Sequence, residues 1–163
     1  CSHLMGISQN QIVRTLKEFK GVEHRLEYVR TINEADYIND SKATNIDSVI
    51  VAINTYKQPI ILILGGFNKG ANFRLLLPHI KSSHVRDIVS YGDAGGQINT
   101  ALGDAVRSVQ VTDLSSAVKK AQLMAAPGDI VLLSPGCASY DEFSNFEERG
   151  NHFKSIIKNL AAS

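Results

Sequence analysis

The feature that most constrains this chain is an alternation. Short, continuously apolar runs are each followed by a segment whose apolar residues recur at helical spacing. The run Ile60–Leu64 ends in Gly65-Gly66, and Ile130–Leu133 follows the turn Pro127-Gly128-Asp129, with further strand-like runs at about Val85–Tyr91 and Ser108–Val111. Among the intervening segments, Ile46, Val49, Ile50 and Ile53 share one helix face, and Leu114, Ala117, Val118 and Ala121 share another. Phe146, Phe153, Ile157 and Leu160 form a last such face. A strand that is apolar along its whole length has no face left for water and must be covered on both sides. The alternation therefore predicts an α/β domain with a mainly parallel sheet and helices on both faces.

Two segments precede this pattern. From Leu26 to Ile38 polar and apolar residues roughly alternate around Asn33-Glu34-Ala35-Asp36, a turn-like cluster, which predicts an antiparallel hairpin. Ser8 with Gln11 three residues later has the form of a capping box, and Ile12, Val13, Leu16 and Phe19 continue a short helix up to Gly21. The chain opens Cys1-Ser2-His3 without an initiator methionine, and this helix begins almost at once, as expected of a piece of a longer protein.

Composition narrows the function classes. With 163 residues, 44% of them hydrophobic and 20% charged, the chain is long enough for one real core. Seventeen basic residues against sixteen acidic ones, mixed along the sequence, leave no basic footprint for nucleic acid. The run Ile60–Leu64 is far short of the roughly 20 apolar residues of a membrane span, and no signal-peptide pattern is visible, so a soluble, cytoplasmic protein without membrane insertion is expected. Cys1 and Cys137 make neither a disulfide framework nor a zinc template, and a reducing compartment fits them.

Open parallel sheets bind ligands at the carboxyl ends of their strands, which directs attention to four loops, at 39–45, 65–72, 92–96 and 134–145. The first reads Asn39-Asp40-Ser41-Lys42-Ala43-Thr44-Asn45 and runs into a helix, with a cap outlined by Thr44 to Asp47. It is either a solvated loop with a capping residue or an anion site made by Lys42, Thr44 and free helix amides. The second, Gly65-Gly66-Phe67-Asn68-Lys69-Gly70, can turn sharply and present Lys69, but it matches neither GxxxxGK[ST] nor GxGxxG, so a simple turn serves equally.

In the last loop, Ser134-Pro135-Gly136-Cys137-Ala138-Ser139-Tyr140-Asp141, neither Cys137 nor Ser139 sits in a nucleophile-elbow sequence and no histidine lies nearby in the chain. An amide-rich turn able to hold a carboxylate is the simpler expectation. His3, His24, His79, His84 and His152 lack metal-ligand spacing and are assigned structural or surface roles, and no metal-ligating residue is singled out. Arg25 offers a guanidinium suited to phosphate or carboxylate, an ordinary surface ion pair being the bland alternative.

Taken in order, His24-Arg25-Leu26-Glu27, Asn39-Asp40-Ser41-Lys42-Ala43-Thr44-Asn45, Leu64-Gly65-Gly66 with Lys69, and Leu133-Ser134-Pro135 with Ala138-Ser139 and Asp141 carry a resemblance. Phe143, Asn145-Phe146-Glu147 and Arg149-Gly150-Asn151 complete it. From about Gly21 onward the chain resembles the C-terminal domain of the Mur ligase family, in its D-glutamate-adding branch. The resemblance implies a Rossmann-like fold with an N-terminal β-hairpin, residues 1–20 as the last helix of a central ATPase domain, and residues 21–163 as the C-terminal domain.

It also implies an ATP-dependent ligase of peptidoglycan synthesis that adds D-glutamate to UDP-N-acetylmuramoyl-L-alanine through an acyl phosphate. ATP and magnesium would be held mainly by the central domain, and the N-terminal and central domains of the same chain would be this domain's partners. By the same resemblance Arg25, Asp40 and Lys42 belong to the nucleotide site, with Lys42 also acting in catalysis between phosphate and amino acid. Thr44, Lys69, Ser139, Tyr140 and Phe146 belong to the D-glutamate site. Tyr140 stands where the family commonly has leucine, and Phe67-Asn68 replaces the usual Asp-Gly. Without the central domain's Walker-type loop the fragment alone is expected to be inactive. The alternatives are another Mur-type or folylpolyglutamate-type ligase domain, or a stand-alone Rossmann-like binding module.

Overall fold

The structure is a computed structural model that describes residues 8–18 and 21–160. It contains six strands, β1 (Glu27–Ile32), β2 (Ala35–Asn39), β3 (Ile60–Gly65), β4 (Val85–Tyr91), β5 (Arg107–Gln110) and β6 (Ile130–Gly136). The helices are α1 (Gln9–Glu18), α2 (Ile46–Thr55), α3 (Leu77–Ser82), α4 (Gly95–Leu102), α5 (Leu114–Met124) and α6 (Phe146–Asn159), with a 3-10 turn at Phe73–Leu76 leading into α3.

One sheet runs in the order β1-β2-β6-β3-β4-β5. β1 and β2 are antiparallel, and every other neighbouring pair is parallel. β3 and β6 are buried at every residue, as the apolar runs Ile60–Leu64 and Ile130–Leu133 require. Alternate residues face opposite ways. Ile60, Leu62, Leu64, Ile130 and Leu132 pack on α2, α3 and α4 through Val49, Ile53, Ile80 and Ile98. Ile61, Ile63, Val131 and Leu133 pack on α5 and α6 through Leu114, Val118, Phe153 and Ile157. Each such fully buried aliphatic side chain contributes roughly 1.5–3 kcal/mol of transfer free energy.

The hairpin is tighter than the sequence pattern suggests. Only Asn33 and Glu34 form its turn, both at positive φ (49° and 61°), as a two-residue type I′ connection demands, while Ala35 and Asp36 are already paired with Ile32 and Thr31. The capping box is present at the start of α1, where the Ser8 backbone N–H donates to Gln11 Oε1 at 3.1 Å and the Gln11 N–H to Ser8 Oγ at 3.3 Å. Val13 of that helix is 44% exposed, and none of the buried core among the described residues comes from it. Phe19 and His3 lie outside the described residues.

Two helices escaped the sequence pattern. α3 is six residues long, too short for a periodicity to show, and α4 begins at Gly95 and has only Ile98 and Leu102 as buried aliphatic positions. No described helix is long and apolar enough to cross a membrane.

The chain's course places the site. From β3 it leaves toward α3 on one face, and from β6 it leaves toward α6 on the other. The two strands are neighbours and the strand order reverses between them, so the loops at their carboxyl ends are where a ligand site is expected.

Candidate functional site

The loop at 39–45 is fixed almost entirely by its own polar groups. The Asp40 N–H donates to the Leu133 carbonyl at 2.8 Å, the Lys42 N–H to the His24 carbonyl at 3.0 Å, and Gly136 N–H to the Ala43 carbonyl at 2.9 Å. Asn39 Oδ1 accepts from the Ser41 N–H at 3.1 Å, and its amide lies 3.0 Å from both His24 Nδ1 and Glu27 Oε2. The helix cap is Asn45, whose Oδ1 accepts from Ser48 N–H at 2.9 Å. Thr44 is thereby left out of the cap, and its exposed side chain lines a cleft instead.

Arg25 sits between two residues in the left-handed region, His24 (φ 63°) and Leu26 (φ 45°). Such a conformation costs about 1–3 kcal/mol for a non-glycine residue and persists only where its surroundings impose it. They do here. The Leu26 N–H donates to Asp40 Oδ1 at 3.2 Å, and the His24 N–H to Glu27 Oε2 at 2.9 Å. His24 is 4% exposed, and a methyl group on Gly150 would come within 2.2 Å of its ring, which is the structural role expected for it.

Asp40, assigned to the nucleotide site by the resemblance, is also tied into the fold. It is 5% exposed and both carboxylate oxygens are engaged, Oδ1 by Leu26 and Oδ2 by the Ser134 hydroxyl at 2.8 Å. Burial pushes its carboxyl above the ordinary range, against those two hydrogen bonds and the neighbouring Arg25 charge.

The loops after β3 and β6 are joined. Phe67 and Ala138 form a two-way backbone bridge, with N–H to carbonyl distances of 2.9 and 3.1 Å. Gly66 makes this possible, since a Cβ there would fall 2.3 Å from the Ala138 carbonyl oxygen. Asn68 then holds the next turn. Its Oδ1 accepts from Gly70 N–H at 2.9 Å and Ala71 N–H at 2.6 Å, and its amide donates to Gln97 at 2.7 Å. Lys69 projects from this turn with its ammonium 4.8 Å from the centroid of the Tyr140 ring.

Asp141 and Glu142 pin the far side of the last loop. Asp141 accepts from the Asp93 N–H at 3.3 Å, and Glu142 from the Leu114 N–H at 3.2 Å. Burial pushes the Cys137 thiol up to about 12 and the side chain is 2% exposed, so it does not supply a thiolate.

Arg149, quoted in the sequence only as part of a motif, holds these loops together. It is fully buried on α6. Its Nε donates to Ser41 Oγ at 2.9 Å, Nη2 to the Ser41 carbonyl at 2.8 Å, and Nη1 to the carbonyls of Cys137 and Ala138, both at 3.1 Å. Ser41 Oγ in turn donates to the Phe146 carbonyl at 2.8 Å. No carboxylate among the described residues forms an ion pair with this guanidinium. Spacing contained the signal, because Arg149 falls on the same helix stripe as Phe146, Phe153 and Ile157.

Two clefts result. One, of about 300 Å³, is lined by Arg25, Leu26, Asp40, Lys42, Asp47 and Val51 among others. The second, of about 290 Å³, is lined by Thr44, Lys69, Ala138, Ser139, Tyr140, Asn145, Phe146 and Glu147. All three sequence-assigned nucleotide residues lie in the first, and all five assigned amino-acid residues in the second. Lys42 lines the first, and its ammonium stands 5.3 Å from the centroid of the ring of Phe146, which lines the second. The loop at 92–96 takes no part, as Asp93 and Gly96 line a separate open groove with Arg74 and Gln97.

The Mur ligase, glutamate ligase domain family matches residues 24–137. The chain is similar to a UDP-N-acetylmuramoylalanine–D-glutamate ligase of Pelotomaculum thermopropionicum, 46% identical over 158 residues, which are 96% of this chain and 34% of that protein. The ligase of the same name from Chlamydia caviae is 40% identical over 161 residues, 99% of this chain and 38% of that one. The chain thus spans about a third of the length of the curated relatives it matches.

Among solved structures, UDP-N-acetylmuramate-alanine ligase of Thermotoga maritima superposes with a TM-score of 0.69 at 15% identity, covering 96% of this chain and 35% of that one. Folylpolyglutamate synthase/dihydrofolate synthase of Yersinia pestis, complexed with AMPPNP and manganese, gives 0.65 at 17% identity, covering 93% and 35%. At those identities the two structures speak for the fold alone.

Proposed function

The chain belongs to the Mur ligase family, as its glutamate ligase domain, and from that premise we propose that it is the amino-acid-capturing domain of a cytoplasmic ligase that joins D-glutamate to UDP-N-acetylmuramoyl-L-alanine. Residues 21–163 form that domain, and residues 1–20 the end of the ATPase domain before it. The observation that carries the proposal is the convergence of Thr44, Lys69, Ser139, Tyr140 and Phe146 on one cleft, with Lys42 of the Arg25–Asp40 cleft standing over the Phe146 ring.

In the reaction ATP phosphorylates the alanyl carboxylate, the amine of D-glutamate attacks the resulting acyl phosphate, and phosphate leaves. The chemistry asks chiefly for positioning and for cations near developing negative charge. Lys69 supplies an ammonium for the side-chain carboxylate of D-glutamate, the Thr44 and Ser139 hydroxyls supply short polar contacts, and Phe146 supplies an apolar wall. Lys42, between the clefts, faces the acyl phosphate. Arg25 takes the nucleotide phosphates and Asp40 orders the loop that meets the ribose.

On this reading ATP and magnesium are held mainly by the central domain of the ligase, and this chain alone does not turn over. The test is a graft in which the chain replaces the matching third of the Pelotomaculum relative. ATP-dependent incorporation of D-glutamate into UDP-N-acetylmuramoyl-L-alanine by the graft, and none by the isolated chain, is the expected result. A soluble, folded graft that accepts L-glutamate or another amino acid in preference to D-glutamate would overturn the substrate assignment.

A further inference from the structure

We propose that Tyr140 is a positioning residue for Lys69, holding the ammonium over the cleft through the face of its ring. Both side chains stand on backbone that is already fixed. Asn68 ties down the turn carrying Lys69 through Gly70 and Ala71, and the Phe67–Ala138 bridge joins that turn to the loop carrying Tyr140. On the other side of Tyr140, the Ser139 carbonyl accepts from the N–H groups of Glu142 and Phe143, at 3.2 and 2.8 Å, and Asp141 anchors at Asp93.

What these anchors leave free is the lysine stem, four carbons long and rich in rotamers. Among the described residues Lys69 forms no ion pair, and its one charged-group contact is the Tyr140 ring at 4.8 Å. A carboxylate would also have held it, but would have cancelled the charge that an anionic ligand needs. The negative face of an aromatic ring orients the ammonium and leaves its net charge in place.

Lys42 over Phe146, at 5.3 Å, repeats the device beside the cleft, where a second cation is thus seated on a ring. The arrangement also accounts for Tyr140 being 61% exposed, a large apolar body in solvent that packs on a lysine rather than in the core. Ordering Lys69 before the ligand arrives removes part of the entropy that binding would otherwise cost.

Only the kinetic consequence of this inference rests on the D-glutamate reading of the cleft, and the experiment separates the two. In the 163-residue chain without ligand, the ring current of Tyr140 shifts the Lys69 ε-methylene protons upfield in carbon-resolved NMR spectra. Tyr140→Phe retains the shift and Tyr140→Leu abolishes it, with melting temperatures unchanged. Identical Lys69 shifts in the wild-type and Tyr140→Leu chains would overturn the positioning role whatever the ligand.

In the active graft, Tyr140→Leu raises the Michaelis constant for D-glutamate about two- to fivefold, with a smaller change in kcat, and Tyr140→Phe recovers most of it. In a Lys69→Ala background Tyr140→Leu has no further effect, because its contribution passes through the lysine. Fully additive losses would instead make Tyr140 a direct ligand contact and refute the inference. Failure of the graft to use D-glutamate, with the NMR result intact, would refute the substrate assignment alone.

Discussion

At the amino ends of the strands, every buried carboxylate has an arginine. Asp87 accepts from Arg86 Nε at 2.8 Å and from Arg107, and Asp129 takes both oxygens to Arg86 Nη1 at 2.9 and 3.1 Å. At the carboxyl ends Arg149, Lys42 and Lys69 form no ion pair with a described carboxylate. Arg149 is buried among a hydroxyl and three carbonyls, and Lys42 and Lys69 rest on aromatic rings. One edge of the sheet pairs its buried carboxylates with arginines, whereas at the other Lys42 and Lys69 stand beside the clefts with rings as their partners. The difference suits a site for phosphate and carboxylate groups, and it sorts charged residues by what their removal should damage.

The largest expected effect on stability is that of Arg149→Met. It strands the carbonyls of Ser41 and Cys137 in a buried site and leaves Ala138 with the Phe67 N–H alone, at a cost on the order of 3–5 kcal/mol in urea denaturation. Lysine should recover little, since one ammonium cannot span both loops. A loss below about 1 kcal/mol would mean that the two clefts hold their shape without this guanidinium.

Asp87→Asn at the opposite edge comes next, at about 1.5–3 kcal/mol, with no change in ligand constants. Burial pushes the Asp87 carboxyl up, but the bonds from Arg107 and Arg86 outweigh it and the net shift is downward. Its stabilising contribution is therefore present above the unfolded value of about 3.9 and is lost as pH falls through the lower folded value. The gap between wild type and Asp87→Asn should close on acidification. A gap that persists at low pH would contradict the pairing.

Asp40 has the opposite sign. Its folded value is raised, so its contribution to stability is present below about 3.9 and is lost as pH rises through the folded value. Asp40→Asn keeps an acceptor for Leu26 and removes a buried charge, and it should match or slightly exceed the wild type in stability at neutral pH, an advantage that disappears in acid. Asp40→Ala, which strands the Leu26 amide, should instead lose about 1–3 kcal/mol. A stable Asp40→Ala chain would contradict this structural role of the carboxylate.

The sequence carried the sheet, its parallel strands and both helix layers because an all-apolar strand leaves no alternative. The two clefts were assigned through the resemblance rather than through periodicity, and the structure gathers those residues into two adjoining sites. What stayed hidden was the bonding between loops. No spacing rule joins Arg149 to Ser41 across more than a hundred residues, or Ser134 to Asp40, because such contacts exist only once α6 and β6 are docked beside β2. The cap was misplaced by the threonine at 44, when Asn45 does that work, and Ala35-Asp36 were counted as turn because two left-handed residues suffice. α3 and α4 offered too few apolar positions to reveal a period.

Lys69 should have the smallest effect on stability and the most specific effect on ligand. It is exposed on a loop tip, so Lys69→Ala should change stability by less than about 0.5 kcal/mol. The direct test is steady-state kinetics of the graft with D-glutamate varied at saturating ATP and UDP-N-acetylmuramoyl-L-alanine. Loss of a charge-assisted hydrogen bond worth roughly 1.5–3 kcal/mol should raise the D-glutamate constant about 10- to 150-fold, with the ATP constant moving far less. Arginine should rescue poorly, its planar fork fitting a different geometry. An unchanged D-glutamate constant in Lys69→Ala would contradict the claim that this unpaired cation is kept for the amino-acid substrate.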